Sequence, residues 1–435
     1  MEIVRRLCEP CLERVHAGRF RAVLRAVEGL IVAQRVSLTA IGRAVRGKLQ
    51  PRHGIKMMDR LLGNPKLEKE RRCWFAALAQ RLVGTEQRVV LLLDWTQLHG
   101  EFWALVAAIV FEGRSIPIFG EAHHESKLGS REVQTKFLHD LCSILPKGCR
   151  PLIVADGGFR SPFFAACHDA SIDFVVRLRN DRAMARIPQS HCNSGYVGSA
   201  GVRFDEIFRW AKRKAQCLGI SSPFITSPFA TSCRMVLGPA PKKAHRRLRY
   251  LEDYERKRGC EPWLLATSLD NESAETIVAI YATRMQVEEC FRDAKNARFG
   301  WGLEFAKSTS TERLNVLLVL VAIAFAAIVL VGAAAFKSGL EKRFRASSRE
   351  ERVLSLFSLG NLVARDAARV RLRFATIWRN LESVSRVSRL LLPPLRAFDS
   401  VNRSNAYLSP NSRVVERVHH DYFCSDCGWR STAIG

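Results

Sequence analysis

The stretch "RVVLLLDWTQ" (residues 88–97) sets an aspartate, Asp94, at the end of a short run of apolar, largely β-branched or leucine residues. A run this short, bounded by polar sequence, reads as a buried strand. The pattern recurs in "PLIVADGG" (151–158), which ends at Asp156. A strand end is where a sheet presents side chains to a site, although an aspartate there also serves as a cap or turn residue. Between the two lie "FWALVAAIVFEG" (102–113) and "RSIPIFGEA" (114–122), two strands joined at Glu112-Gly113-Arg114. "VQTKFLHDLCSILP" (133–146) is helical through Val133, Phe137, Leu141 and Ile144. "SPFFAACHDASI" (161–172) adds a helix and "DFVVRLRND" (173–181) a strand. Strand–strand–strand–helix–strand–helix–strand predicts a mixed α/β sheet.

Outward from this core the character changes. Residues 1–75 read as all-helical, with Ser37 and Thr39 as N-caps before Ile41 and Val45. In "RHGIKMMDRLLGN" (52–64), Ile55, Met58, Leu61 and Leu62 share one side and Arg52, Lys56 and Arg60 lie off it. Two short helices with a basic second one resemble a helix-turn-helix reader of DNA; a plain helical bundle has the same pattern. "GRAVRGKL" (42–49) lacks the Ser or Thr and the preceding strand of a phosphate-binding loop, so nucleotide binding is rejected. Residues 185–262 are rich in Gly, Ser, Pro and basic residues and read as a mainly β insertion with a basic surface. "EPWLLATSL" (261–269) returns to strand, and residues 337–400 are helical and basic.

The 435 residues carry 68 Lys and Arg against 42 Asp and Glu, a formal charge of +26. The excess is dispersed along the chain, which implies a polyanionic partner, nucleic acid first and an anionic membrane second. A hydrophobic content of 47% excludes a disordered chain. The 13 cysteines follow no disulfide framework and no secretory leader precedes them, so reduced thiols in a cytoplasmic, nucleoid-associated protein are expected. Cys8–Cys11 and Cys424–Cys427, the latter after His419 and His420, have zinc-ligand spacing, but isolated pairs of this kind are usually incidental. "VLLVLVAIAFAAIVLVGAAAF" (316–336) is long enough to span a bilayer. Standing alone, with Arg313 and Lys337 flanking it evenly, it reads as a core helix.

"YATRMQVEECFRDAKNARFG" (281–300) aligns a phenol, two cations and a carboxylate. On one continuous helix, Tyr281, Arg284, Glu288 and Lys295 fall at roughly 0°, 300°, 340° and 320°, with Glu289 and Asp293 pointing elsewhere. Such a stripe suits a phosphate-and-metal site or a salt-bridged surface. With Asp94 and Asp156, Glu288 completes three carboxylates of the kind that hold Mg²⁺ or Mn²⁺. Two such ions, roughly 4 Å apart, serve in-line displacement at phosphorus. Arg177 and Arg179, on alternate positions of one strand, face one side and suit phosphate contacts.

The spacing Tyr-x2-Arg-x3-Glu-x6-Lys matches the YREK signature of the insertion-sequence-4 family of bacterial DDE transposases. "IKMMDRLLGN", "LLDWTQ", "LIVADGGFR", "EPWLLATSL" and "RMQVEECFRDAK" resemble the insertion-sequence-10 branch, in its order, over roughly residues 20–395. The resemblance implies an RNase H-like catalytic core, a mixed five-stranded sheet with flanking helices, interrupted by a β-rich insertion. It implies ATP-independent cut-and-paste transposition through nicking, hairpin formation, hairpin opening and strand transfer. Asp94, Asp156 and Glu288 become the metal ligands, for Mg²⁺ with Mn²⁺ as substitute. Tyr281, Arg284 and Lys295 contact the DNA end, and Trp263 stacks on a base flipped out near the hairpin; a core tryptophan at a strand start is its plainer role. Arg52, Lys56 and Arg60 belong to the expected end-binding helices.

The expected organisation is an end-binding helical region at 1–75, a catalytic core at 76–184 and 263–336, and the insertion at 185–262. A helical region at 337–405, suited to dimerisation, and an irregular tail at 406–435 follow. Double-stranded DNA, as terminal inverted repeats and as target, is the expected partner, with a homodimer in the synaptic complex and neither membrane nor nucleotide. The tail "HHDYFCSDCGW" (419–429) matches nothing in the family pattern. Two other readings remain open: a DNA-binding descendant without chemistry, and a metal-dependent nuclease that cuts without rejoining.

Overall fold

A computed structural model describes residues 2–45, 50–179, 183–188, 201–223, 232–239, 261–298, 300–344, 354–366 and 375–379. The strands predicted around Asp94 and Asp156 form the middle of its sheet. β1 (Arg88–His99) pairs antiparallel with β2 (Phe102–Phe111), which pairs antiparallel with β3 (Arg114–His124). The turn between β2 and β3 is tight because Glu112 and Gly113 both take positive φ, 41° and 81°, the geometry that matches strand twist in a two-residue hairpin. α6 (Arg131–Ile144) returns the chain to β4 (Arg150–Ala155), parallel to β1, and α7 (Ser161–Asp169) leads to β5 (Asp173–Leu178), parallel to β4.

β1 does not stop at Asp94. It runs five residues further, to His99, because β2 continues to pair with it after β4 has ended. The described strands of the β-rich insertion extend this sheet. β6 (Met184–Arg186), β7 (Val202–Arg203), β8 (Gln216–Pro223) and β9 (Cys233–Leu237) do not form a separate β unit. β9 pairs with β10 (Leu264–Thr267), and β10 pairs with β5, so the strands add to the same sheet. Among the described residues the order is β3-β2-β1-β4-β5-β10-β9-β8-β6-β7: the five strands predicted between residues 88 and 181, the strand predicted at 261–269, and the short strands of the insertion. A short helix, α8 (Phe204–Phe208), follows β7.

Five helices, α1 (Glu2–Cys8), α2 (Ala17–Ala33), α3 (Leu38–Ala44), α4 (Pro51–Leu62) and α5 (Pro65–Val83), precede the sheet. Ser37 caps α3 by accepting a hydrogen bond from Ala40 N at 3.1 Å. α3 and α4 cross backbone to backbone: a Cβ on Gly54 would lie 2.1 Å from the Gly42 carbonyl oxygen. Met58, Leu61 and Leu62 turn inward while Arg52, Lys56 and Arg60 stay exposed.

α9 (Ala274–Ala282) and α10 (Met285–Lys295) lead to α11 (Thr311–Lys337), which is the apolar run of spanning length. Of its most apolar window, 94% is buried within the protein, as expected of a core helix. It packs on α2, α5, β3 and α12 (Leu356–Arg365). Gly332 and Gly360 allow the close crossing with α12, since a Cβ on either would meet a carbonyl oxygen at 1.8 Å or 2.1 Å. Asn315 of α11 accepts from Ala122 N at 2.8 Å, satisfying one donor of the edge strand β3 that would otherwise be buried without a partner.

Candidate active site

Parallel pairing of β1 with β4 ends at Leu93 opposite Ala155. The next residue on each chain is therefore Asp94 and Asp156, side by side where the two strands part. Each carboxylate is fixed by its own backbone: Asp94 Oδ1 accepts from Trp95 N at 2.9 Å, and Asp156 Oδ1 from Gly158 N at 2.8 Å. Gly157 has a second task, since a Cβ there would lie 2.8 Å from the Arg179 side chain.

The third carboxylate arrives on α10, and here the structure corrects the single-helix stripe. Tyr281 lies in the last turn of α9, Arg284 stands at the N-terminus of α10, and the two helices are separate. Between them the backbone tightens to i→i+3 bonds: Thr283 N to Ile280 O, Arg284 N to Tyr281 O, Gln286 N to Thr283 O and Val287 N to Arg284 O. A 3₁₀-type turn advances about 120° per residue in place of about 100°, so angles counted across it do not hold. Arg284 and Glu288 keep their i,i+4 contact within the second segment.

Arg284 is the centre of the cluster. Its Nη2 lies 3.0 Å from Asp94 Oδ2 and 3.6 Å from Asp156 Oδ2, and its Nη1 donates to Glu288 Oε1. Exposure is graded: the side chains of Arg284 and Asp94 are 11% and 13% exposed, Asp156 30% and Glu288 46%. Burial pushes the Asp94 carboxyl up to about 7; Arg284 and Trp95 N–H oppose the rise, and Asp156 and Glu288 add to it. Burial works against the Arg284 charge too, but the carboxylates, led by Asp94, outweigh it and hold the guanidinium above its ordinary value.

The remaining sequence candidates line the same region at differing depth. Tyr281 is buried, its hydroxyl pKa raised by burial, and packs edge-on against Trp263 with centroids 4.9 Å apart. Trp263 is half-buried, packed against the core, and its carbonyl accepts from Gly238 N at 2.7 Å. Arg177 is buried on β5, 4.0 Å from Glu261, and burial pushes it down to about 10, with Arg179 adding to the fall. The Nε atoms of Arg177, Arg179 and Arg284 are buried without a hydrogen-bond partner. Lys295 donates to Thr96 Oγ1 at 3.2 Å, and burial lowers its pKa against the pull of Glu304 and Asp94.

Several contributors were not anticipated. Thr96 was signalled by the two-residue alternation from Asp94, which puts both on one face of β1. Glu261 beside Arg177 carried no signal in its spacing. Cys8 and Cys11 are buried thiols; burial pushes Cys11 to about 12, and its Sγ donates to the Cys73 carbonyl at 3.2 Å. Cys424, Cys427, His419 and His420 lie outside the described residues.

Among the described residues, no three His, Cys, Asp or Glu side chains converge at metal-ligand spacing. Asp94 and Asp156 do approach one point, Arg284 Nη2, and Glu288 approaches the same guanidinium from its other nitrogen. These are hard oxygen donors already gathered about a cation, the donor chemistry that suits a divalent ion.

A family of known proteins fits this arrangement. Residues 87–325, more than half of the chain, match the transposase DDE domain. The chain belongs to that family, whose members act on DNA in transposition and recombination and generally use divalent metal ions. Comparison with curated proteins gives no match.

Proposed function

We propose that the protein is a cut-and-paste transposase of the insertion-sequence-4 type, close to the insertion-sequence-10 branch, with Asp94, Asp156 and Glu288 at the chemistry on an RNase H-like core. The observation that carries the reading is the single guanidinium of Arg284 touching all three carboxylates, drawn from β1, the end of β4 and α10. Mg²⁺, or Mn²⁺ in its place, held by these carboxylates would activate the nucleophile and stabilise the leaving oxygen at phosphorus.

The chain's own residues divide the rest of the work. Arg284 balances the charge of the buried Asp94 in the free protein and lies close enough to the scissile region to bind a phosphate. Lys295, held by Thr96 beside Asp94, offers a point charge for a neighbouring phosphate. Arg177 and Arg179 present guanidiniums with unsatisfied buried donors, which an anionic backbone would satisfy. Half-buried Trp263, backed edge-on by the buried Tyr281, is suited to stacking a base taken out of the duplex. Arg52, Lys56 and Arg60 form the exposed basic side of α4 for the inverted repeat. Two copies of the chain synapse the two ends, on the nucleoid.

Each step exchanges bonds at phosphorus. Water breaks one phosphodiester and frees a 3′-OH; that hydroxyl attacks the phosphodiester of the opposite strand, forming a hairpin and releasing the flanking DNA with a 3′-OH as the leaving group. Water reopens the hairpin, and the 3′-OH joins target DNA with release of a target 3′-OH, so no nucleotide is consumed. The test is a plasmid bearing the repeats that flank the protein's own gene, incubated with Mg²⁺ and resolved on denaturing gels. Hairpinned, excised fragments are expected. Open nicks and breaks without hairpins point to a plain nuclease, and binding without cleavage in Mg²⁺ and Mn²⁺ alike points to a DNA-binding descendant.

A further inference from the structure

We infer that Arg114, at the start of β3, is a positioning residue for Glu288: it clamps α10 to the β2–β3 hairpin and so fixes where the third carboxylate sits. The inference rests on the transposase reading above. Arg114 Nε donates to Asp293 Oδ2 at 2.8 Å, and its Nη2 lies 3.2 Å from Glu289 Oε2. One guanidinium fork therefore grips two carboxylates on consecutive turns of α10. Glu289 is held in turn by Arg292.

Two further bonds tie the first turn of α10 to the same hairpin. Phe111 N donates to Gln286 Oε1 at 3.2 Å, and Ser115 Oγ donates to the Gln286 carbonyl at 3.2 Å. Gln286, Ser115 and Asp293 are all buried, so these bonds form away from water, where losing one partner is costly.

α10 needs an external clamp for a reason visible in the backbone. The tightened turn at Thr283–Arg284 separates it from α9, so its rotation is not inherited from the preceding helix. Glu288 is itself nearly half exposed and touches its neighbours through Arg284 alone among the contacts that link it to the cluster. Its placement relative to Asp94 and Asp156 must come from the buried face of α10, one residue away at Glu289 and five away at Asp293. A misplacement of about 1 Å at a reacting group is worth about 10²-fold in rate.

The test compares the full-length wild type with Arg114→Lys, which keeps a cation beside Asp293 but loses the fork. Thermal unfolding, affinity for the element end, and single-turnover nicking in Mg²⁺ at saturating and sub-saturating protein are measured together. Arg114→Lys is expected to unfold cooperatively, to bind the end with unchanged Kd, and to nick about 10- to 100-fold more slowly at saturation. Adding Asp293→Glu, which extends the acceptor towards the ammonium, should regain part of that rate, a rescue that loss of stability would not give. Should Arg114→Lys fail to fold, Ser115→Ala carries the same expectation with a smaller loss. Nicking at the wild-type rate, or a fall that merely follows lost end binding, overturns the inference while wild-type cleavage keeps the transposase reading. A wild type that leaves its own ends uncut overturns both.

Discussion

α10 carries an acidic cluster on each of two faces, one about Arg284 and the other about Arg114, where Arg292 adds a second cation. On one face Glu288 meets Asp94 and Asp156 about Arg284; on the other Glu289 and Asp293 meet Arg114. The difference lies in where the carboxylates come from and how they meet water. The Arg114 cluster takes its acids from one helix and its cations from one hairpin and, through Arg292, from that same helix, and closes on itself. The Arg284 cluster takes acids from three elements distant in sequence and leaves Glu288 open to solvent. A closed pair of this kind holds a helix in place. An open one, with three hard donors on one cation, can take a different cation and a substrate. The same residue types thus make a clamp or a site according to burial and origin.

The largest effect is expected at the open face. Glu288→Gln keeps the shape and removes the charge, and should lower end cleavage by at least about 10³-fold with end binding and Tm near wild type. A parallel loss of Tm would make Glu288 a structural residue and erase the contrast.

At the closed face the balance should reverse. Asp293→Ala leaves the largely buried Arg114 guanidinium with one partner fewer and should cost about 3 kcal/mol of stability, by the usual penalty for breaking a buried pair. Chemical denaturation measures it, and a change below about 1 kcal/mol would show that Glu289 alone suffices.

Lys295→Ala should reduce the slope of log Kd against log salt for end DNA by about one phosphate contact; an unchanged slope would leave Lys295 a role within the fold and none at the DNA. Asp94, held at about 7 by burial, binds a proton in the folded protein that the unfolded chain, with a pKa of about 4, has already lost. Its contribution to stability is therefore full below about pH 4 and falls as pH rises towards 7. In metal-free buffer, Asp94→Asn should flatten the fall of Tm between pH 5 and 7, and an identical slope would contradict the assignment.

Much of this was legible in the chain. The strand about Asp94, its partner about Asp156 and the hairpin at Glu112-Gly113 follow from short apolar runs and turn residues, which act locally. The 3₁₀ turn at Thr283–Arg284 was not, because "YATRMQ" contains no Gly or Pro to announce a break and a periodic stripe reads straight through it. Nor was the extension of β1 to His99, since "WTQLH" loses its apolar run while β2 still supplies hydrogen-bond partners. Arg114 looked like one more basic residue after a turn. Its value depends on Asp293, 179 positions away, and no local pattern encodes such a pairing.

The central claim is that three carboxylates act together on phosphorus, and the most direct measurement places Asp94→Asn, Asp156→Asn and Glu288→Gln beside wild type on labelled end DNA. Binding and first-strand nicking would be scored on the same samples in Mg²⁺. The account predicts undiminished binding and nicking below detection in all three variants. A variant that nicks at the wild-type rate would remove its carboxylate from the site and contradict the account.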